Sequence, residues 1–334
     1  MRELFKATER CLSEGRDAVL VTVVASDGAV PRGAGARMLV TERGREHGTI
    51  GGGAVEHRSE ALAARTLQEK GAFTEKFRLY PNEVADLGMV CGGNVDVCFQ
   101  YVPAGDEETL ALLRQIEALF AAGEQFWLIT ETESGKMGIY GAKSGAFGME
   151  LPEEVIAGLG TKPKQLALGG KNYYCELLLR PGRVYIFGGG HVAQALVPAL
   201  AKIGFRCVIL EDRPEFARRE LFPGVDETRI VDMNDLTQLA QEIGAADYIC
   251  IMTRGHQSDF DVQKQLMHTG ARYIGVIGSE RKQRTVKEKL LELGFDEADF
   301  ENVVSPIGLK IGAQTPEEIA VSIAAQLIQV RAGL

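Results

Sequence analysis

The chain has 334 residues, enough for two domains that each bury a hydrophobic core. Its 37 basic and 46 acidic residues give a net charge of −9 and a pI near 5.3, which argues against nucleic acid or an anionic membrane as the main partner. No apolar run in the sequence reaches transmembrane length and the first residues are typical of an amphipathic helix rather than a signal peptide, so we expect a cytoplasmic protein.

The first half of the chain leads to a glycine cluster. A strand predicted at 18–25 and a hairpin around Arg43-Gly44 run into Gly51, Gly52 and Gly53, and a helix is predicted from there to about Lys70. Three glycines at a helix start leave backbone N–H groups open to a ligand. The pattern therefore predicts an anion-binding turn.

Charged side chains surround this first glycine turn in the sequence. Glu56 lies in the first helical turn, where it can stabilise the helix dipole, accept hydrogen bonds from the edge of a heterocycle, or act as a base. Arg32 and Arg37 precede the glycines. We expect both to be placed so that they can face the same cavity.

A further glycine turn carries a thiol. Cys91 is followed by Gly92 and Gly93, and a strand is predicted at 95–101. We interpret Cys91 as accessible to a ligand, whereas Cys98 alternates into the strand and is expected in the core. No Cys-x-x-Cys pair occurs, so the cysteines are expected to be reduced thiols rather than disulfides or zinc ligands. The six are Cys11, Cys91, Cys98, Cys175, Cys207 and Cys250.

The middle of the chain is less regular. A helix is predicted at 107–122, a pair of strands at 126–132 and 138–140, and an alternating strand at 172–179, before Pro181-Gly182. We interpret these residues as an extension of the first domain and a connector. The predicted domains are therefore 1–105, 106–182 and 183–334.

The third domain opens with a dinucleotide-binding pattern. An apolar run ends in Gly188, Gly189 and Gly190, followed by His191 and Ala193, which gives Gly-x-Gly-x-x-Ala between a strand and a helix. His191 is placed to contact a phosphate or a metal oxo group.

The next strand ends in acidic residues about 20 positions later, where such folds hold a ribose hydroxyl. Of Glu211 and Asp212, Asp212 is predicted to be the better placed, and Arg213 beside it can accept a phosphate.

Three more strands, at 228–231, 247–252 and 272–277, alternate with helices. This alternation predicts a Rossmann-like, doubly wound parallel sheet after an N-terminal mixed α/β domain. Polar residues follow the last two strands at the carboxyl edge of the sheet, where open α/β folds bind ligands. They are Arg254, His256, Gly278 and Ser279, and we predict that they contact the ligand.

In their order and spacing these motifs resemble the XdhC/CoxI family, accessory proteins for xanthine dehydrogenase and related molybdenum hydroxylases. The resemblance covers most of the chain. The matching residues are Gly52–Glu56, Cys91–Gly93, Phe187–Ala193, Asp212-Arg213, Gly275–Ser279, Pro306–Leu309 and Ile311–Ala320.

The resemblance implies a maturation chaperone rather than an enzyme. It implies that the protein binds the molybdopterin (molybdenum) cofactor, protects it during sulfuration and passes it to an apo molybdenum hydroxylase of the xanthine dehydrogenase type. A cysteine desulfurase and a homodimer are further implied. One position departs from the family: Ala54 stands where a cysteine is usual, and Cys91 is the nearest thiol by motif. No metal ligand is assigned.

A second interpretation stays open. Gly188-x-Gly190-x-x-Ala193 together with Asp212 also fits an NAD(P)-dependent oxidoreductase. The sequence shows no tyrosine–lysine pair at short-chain-dehydrogenase spacing, and it leaves open whether the Rossmann-type turn binds NAD(P), a flavin, molybdopterin or nothing.

Overall fold

The structure is a computed structural model that describes residues 1–78, 93–179 and 182–333. Contacts between residues divide the chain into two compact units, Met1–Arg180 and Pro181–Leu334. None of the helices in these described ranges has the length and apolar character needed to span a bilayer.

The first unit begins with an antiparallel sheet of five strands in the order β3-β2-β1-β5-β4. The predicted hairpin around Gly44 and the helix after the glycines are both present. The elements are α1 (Arg2–Ser13), β1 (Ala18–Asp27), β2 (Arg37–Thr41), β3 (Gly44–Thr49), α2 (Gly53–Glu69), β4 (Ala72–Arg78) and β5 (Asn94–Val102). Alternate residues of β1 serve two cores, since Val19 and Val21 pack towards α2 and Leu20 packs towards α1.

A second antiparallel sheet follows within the same unit, in the order β8-β7-β6-β10-β9. Its elements are α3 (Glu107–Ala122), β6 (Phe126–Glu131), β7 (Met137–Gly141), β8 (Gly145–Phe147), α4 (Glu153–Ala157), β9 (Lys164–Leu168) and β10 (Lys171–Leu179). Helix α3 has the predicted bounds because Asp106 accepts a hydrogen bond from the Thr109 N–H at its start and Gly123 adopts φ 67° at its end.

A buried ion pair joins the two sheets of the first unit. The Arg37 Nη2 and Glu176 Oε1 atoms are 2.5 Å apart, and both side chains are buried. The Arg37 Nε donates to the Thr22 hydroxyl at 2.8 Å, and the Tyr174 hydroxyl donates to Glu176 at 3.1 Å. Arg37 therefore lies between strands β2 and β10 instead of facing a ligand cavity with Arg32, which corrects the expectation from the sequence.

The second unit is the predicted Rossmann-like domain. Its six strands are all parallel, in the order β13-β12-β11-β14-β15-β16. The elements are β11 (Val184–Phe187), α5 (His191–Lys202), β12 (Cys207–Glu211), β13 (Glu227–Ile230), α6 (Thr237–Glu242), β14 (Tyr248–Ile251), α7 (His256–Leu266), β15 (Tyr273–Val276), α8 (Glu280–Glu292), β16 (Val303–Val304) and α9 (Pro316–Ala332). Five of the six strands were predicted, and the two-residue β16 was not.

Helices cover both faces of this sheet, as a doubly wound fold requires. Val184 and Ile186 of β11 pack on the side of α5 and α9, and Tyr185 and Phe187 pack on the side of α6 and α7. The order of the strands reverses between β11 and β14. The turn after β11 therefore lies at the point where ligands bind in folds of this class.

Candidate functional site

The glycine turn of the first unit has a backbone that only glycine adopts easily. Gly51, Gly52 and Gly53 have φ values of 126°, 77° and 64°. A Cβ on Gly51 would lie 2.7 Å from the Cβ of Pro31, so the turn packs tightly against the loop before β2. A Cβ on Gly52 would meet no atom within 4 Å, which leaves the backbone at Gly52 open to a ligand.

Glu56 holds this turn in shape. Its carboxylate accepts hydrogen bonds from the Ile50 N–H at 2.9 Å, the Gly52 N–H at 3.1 Å and the Thr49 hydroxyl, and it forms an ion pair with Arg45 at 2.6 Å. Burial by itself raises the pKa of Glu56, but these hydrogen bonds outweigh it, so the pKa lies below its usual value. A carboxylate with a lowered pKa is a weak base, and the contacts favour a positioning role for Glu56.

Two further loops meet the same turn. The Pro31-Arg32 segment contacts Gly51, and Arg32 is exposed and forms no ion pair with the described residues. A Cβ on Gly93 would lie 2.5 Å from the carbonyl oxygen of Asp27 and 2.7 Å from that of Ala29. The turn at Gly51, the exposed Arg32 and the chain at Gly93 are thus brought together. Cys91 and Gly92 lie outside the described residues.

The five described cysteines are all buried. Burial raises the pKa of each thiol, to about 11 for Cys98 and Cys175. These five thiols are therefore protonated and shielded at neutral pH. Within residues 1–78, 93–179 and 182–333, no group of three or more His, Cys, Asp or Glu side chains is arranged to hold a metal ion.

In the second unit, packing explains two of the three glycines after β11. A Cβ on Gly188 would lie 2.3 Å from the carbonyl oxygen of Met252, and a Cβ on Gly189 would lie 2.1 Å from that of Phe216. Gly190 differs, since a Cβ there would meet nothing within 4 Å. His191 is exposed at the first position of α5. The accessible part of the turn is therefore Gly190 and His191.

The acid that contacts this turn is Glu211, whereas the sequence favoured Asp212. Glu211 is 1% exposed and accepts hydrogen bonds from the Gly189 N–H at 2.7 Å and from the N–H groups of Asp212 and Arg213. The Arg213 guanidinium donates twice more, at 2.9 and 3.0 Å, and stacks on the Phe216 ring at 4.0 Å. The side chain of Asp212 is half exposed.

These contacts saturate Glu211. Two carboxylate oxygens offer about four lone-pair positions, and five N–H donors of the chain itself use them. Burial by itself raises the pKa of Glu211, and the hydrogen bonds from Arg213 and its neighbours lower it well below its usual value. Glu211 has no acceptor left for a ribose diol, and Arg213 is engaged as well. This geometry argues against a typical NAD(P) site.

The loops after β14 and β15 form the rest of the carboxyl edge. Asp259, four residues after the N-cap Gly255, accepts hydrogen bonds from the Thr253 N–H at 2.9 Å and the Thr253 hydroxyl at 2.6 Å. Arg254 is exposed, and His256 is the first residue of α7.

Gly278 and Ser279 lead into α8, where Ser279 is the N-cap residue. They line a cavity of about 450 Å³ between α7 and α8. A second cavity of about 750 Å³ adjoins Gly278 beneath the loop at 304–313. Neither cavity could be predicted from the sequence, because both depend on how the helices pack around the carboxyl edge of the sheet.

Comparison with known proteins identifies the class. A model of the XdhC and CoxI family matches residues 11–78, and a model of the XdhC Rossmann domain matches residues 184–327. The chain therefore belongs to the XdhC/CoxI family, as its motifs suggested.

Three relatives show how far the similarity extends. The chain is 26% identical to a probable xanthine dehydrogenase subunit from Bacillus subtilis (strain 168), covering 96% of this chain and 95% of that protein. It is 23% identical to the molybdenum cofactor insertion chaperone PaoD of Escherichia coli (strain K12), covering 99% and 88%. A crystal structure of a xanthine dehydrogenase from Bacillus halodurans is 26% identical with a TM-score of 0.79, covering 98% and 96%.

Proposed function

We propose that this protein is a molybdenum cofactor-binding accessory protein. It protects the cofactor during sulfuration and delivers it to a molybdenum hydroxylase of the xanthine dehydrogenase type. The observation that carries the proposal is the match along nearly the whole chain to a protein named as a molybdenum cofactor insertion chaperone, within a family to which both domains belong.

The geometry of the first glycine turn supports this proposal. The phosphate of molybdopterin suits the N-terminus of α2 and the exposed guanidinium of Arg32, and the missing side chain at Gly52 leaves space for it. Glu56 positions the turn and does not itself need to touch the cofactor. Gly93 belongs to the same group of loops.

This chain has Ala54 where the family usually has a cysteine, and the five described thiols are buried and protonated. Cys91 is therefore the thiol that we propose contacts the cofactor.

In the second unit, Gly190 and His191 offer an accessible helix start, and Arg254, His256, Gly278 and Ser279 follow neighbouring strands at the carboxyl edge. We propose that these residues give the second unit a ligand-binding edge of its own. The partners in this proposal are the apo molybdenum hydroxylase, a cysteine desulfurase and a second copy of the chain. The protein acts in the cytoplasm as a chaperone rather than as an enzyme.

Loss of the cofactor from a matched variant tests the proposal. The protein is purified under anaerobic conditions from a host that makes molybdopterin, and molybdenum and molybdopterin are measured by metal analysis and mass spectrometry. We expect both in the wild type and clearly less in Arg32→Gln. Arg43→Gln, which removes the same charge at the far end of the β2–β3 hairpin, is expected to match the wild type. A wild type that never retains molybdopterin would overturn the proposal.

A further inference from the structure

Helix α9 of the second unit lacks the charged residues that usually cover an outer helix. Its residues 319–330 include no charged side chain, whereas eight of the thirteen residues of α8 in the same unit are charged. A helix that is hydrophobic all round is normally buried on every side. One side of α9 meets this expectation, since Ile323 and Leu327 lie in the core together with Leu196 and Leu200 of α5.

The opposite side of α9 is uncovered. Its residues follow one another at spacings of four, three and four positions, which places them on a single stripe along the helix. They are Val321, Ala325, Ile328 and Ala332. Val321 is 57% exposed and Ile328 is 42% exposed. The stripe therefore presents a branched apolar side chain on each side of the small, central Ala325.

Two more exposed apolar side chains widen this stripe. Ile203 lies directly after α5, and its carbonyl oxygen accepts a hydrogen bond from Arg331 at 3.1 Å. Ile311 lies in the loop before α9, where the Leu309 N–H donates to the Ser322 carbonyl oxygen at 3.2 Å. With the stripe they form what we call the α9 surface. It holds four of the eight large apolar side chains that the described residues leave exposed, so the exposure is concentrated in one place.

The charges at the two ends of α9 favour a second copy of the chain as the occupant of this surface. Glu317 and Glu318 lie in the first turn, and Arg331 lies in the last. When two copies pack antiparallel across a twofold axis at Ala325, the acidic end of each helix meets the basic end of the other, and the helix dipoles are also antiparallel. A parallel pair would place like charges together. The α9 surface is therefore complementary to itself.

The size of the surface indicates how strong such a pair is. A helix of 17 residues is about 25 Å long and, with its side chains, about 10 Å wide. The stripe alone therefore covers about 250 Å², against roughly 800 Å² per partner in a standard interface, and Ile203 and Ile311 enlarge it. An interface at the small end of this range predicts a dimer that dissociates at micromolar concentrations.

We propose that the α9 surface is the interface through which two copies of this chain associate, with the two α9 helices antiparallel and Ala325 at the twofold axis. Val321 of each copy packs beside the partner's Ile328, and Ile203 and Ile311 surround this apolar centre. The inference deepens the proposed function, on which it rests for the presence of a second copy.

Sedimentation velocity of the full-length protein, from about 1 µM to about 200 µM, tests the inference. We expect the wild type to pass from monomer to dimer within this range. Val321→Glu is expected to weaken association at least about tenfold, because a twofold interface contains the new charge twice and removes it from water. Leu293→Glu, the same kind of change at a similarly exposed residue after α8, is expected to associate as the wild type does.

Two results would overturn the interface. One is a wild type that stays monomeric at about 200 µM, where a dimer of micromolar affinity is almost fully formed. The other is equal association of the wild type and Val321→Glu. Because Val321 is 57% exposed, its replacement is expected to leave the fold intact, and circular dichroism of the variant checks this.

A cysteine at the axis tests the arrangement of the two helices. A disulfide needs Cα atoms about 4.4–6.8 Å apart, and antiparallel helices bring equivalent residues this close only near the twofold axis. In a Cys91→Ser background, where the five other thiols are buried, Ala325→Cys is expected to give a covalent dimer on mild oxidation and Leu293→Cys is not. Equal cross-linking at both positions, or none at position 325, would overturn the antiparallel arrangement.

The two proposals fail separately. A wild type that retains molybdopterin but stays monomeric would refute the α9 interface and leave cofactor binding standing. A dimer that Val321→Glu dissociates, in a protein that never retains molybdopterin, would support the interface and refute the chaperone function.

Discussion

Replacing Glu211 by glutamine tests whether this residue, rather than Asp212, organises the Rossmann-type glycine turn. The substitution keeps the size of the side chain and removes its charge. One of the two oxygens becomes an NH₂ group, which then faces either the Gly189 N–H or the guanidinium of Arg213. Because both of these groups are hydrogen-bond donors, the new NH₂ group cannot accept their hydrogen bonds.

The expected loss is about 3 kcal/mol in the free energy of unfolding of the second unit. Removing one partner of a buried ion pair costs roughly 3–5 kcal/mol. The lower end applies because the side chain of Arg213 is 22% exposed and can turn towards water. For a domain of this size, about 3 kcal/mol corresponds to a fall in Tm of roughly 6–12 °C.

Thermal unfolding of the full chain, followed by circular dichroism and calorimetry, measures the effect. Asp212→Asn is the matched control, since it removes the same charge from the neighbouring, half-exposed side chain and is expected to change stability by less than about 0.5 kcal/mol. Equal losses in the two variants, or a loss below about 1 kcal/mol for Glu211→Gln, would refute the reasoning.

The pH dependence provides a second check on Glu211. Because the folded pKa lies below the ordinary value of about 4.3, the carboxylate's stabilisation is complete above that value and is lost as the pH falls through the lowered pKa. The stability difference between wild type and Glu211→Gln should therefore stay constant between about pH 5 and 7 and shrink below about pH 4. A difference that grows on acidification would contradict the sign of the shift.

Three other predictions follow from the site. Gly189→Ala should destabilise the second unit by about 1–3 kcal/mol in urea unfolding, because the new Cβ overlaps the Phe216 carbonyl, whereas Gly190→Ala should be nearly neutral; similar losses in both would contradict the packing. Reaction of the native protein with a thiol reagent should modify at most one cysteine rapidly, and Cys91→Ser should abolish that reaction, since the five described thiols are buried; two or more fast thiols would contradict this burial. NAD(H) and NADP(H) should leave Tm unchanged at high concentration, because Glu211 is saturated, and a shift of several degrees would restore the oxidoreductase interpretation.

The Rossmann-like domain could be predicted from sequence because its signals are local. Strands β11, β12, β14 and β15 are short and mostly apolar runs, and close packing explains Gly188 and Gly189 after β11. The second sheet of the first unit was harder to predict. Strand β9 begins with Lys164 and Gln165 and is half exposed, and β8 has three residues, so neither has a hydrophobic pattern. Their pairing with β10 and β7 is set by tertiary contacts.

The sequence could predict which turns form the candidate site, but it could not predict what each residue in those turns does. Spacing placed an acid at the end of β12, but the last residue of the strand points back to the glycines and the next one points away, so the choice between Glu211 and Asp212 depends on where pairing stops. Likewise, the sequence allowed three roles for Glu56, and only its hydrogen-bond partners in the structure distinguish between them.

Glu56 and Asp259 occupy equivalent positions, each four residues after a glycine N-cap and each bonded back to the N–H groups of the preceding loop. Both loops are therefore preorganised by the chain itself, and a ligand that arrives loses little free energy in ordering them. The same rigidity governs departure, because a bound ligand can leave without any refolding of the loop behind it. Exchange at such a site is set by the lifetime of a few direct contacts.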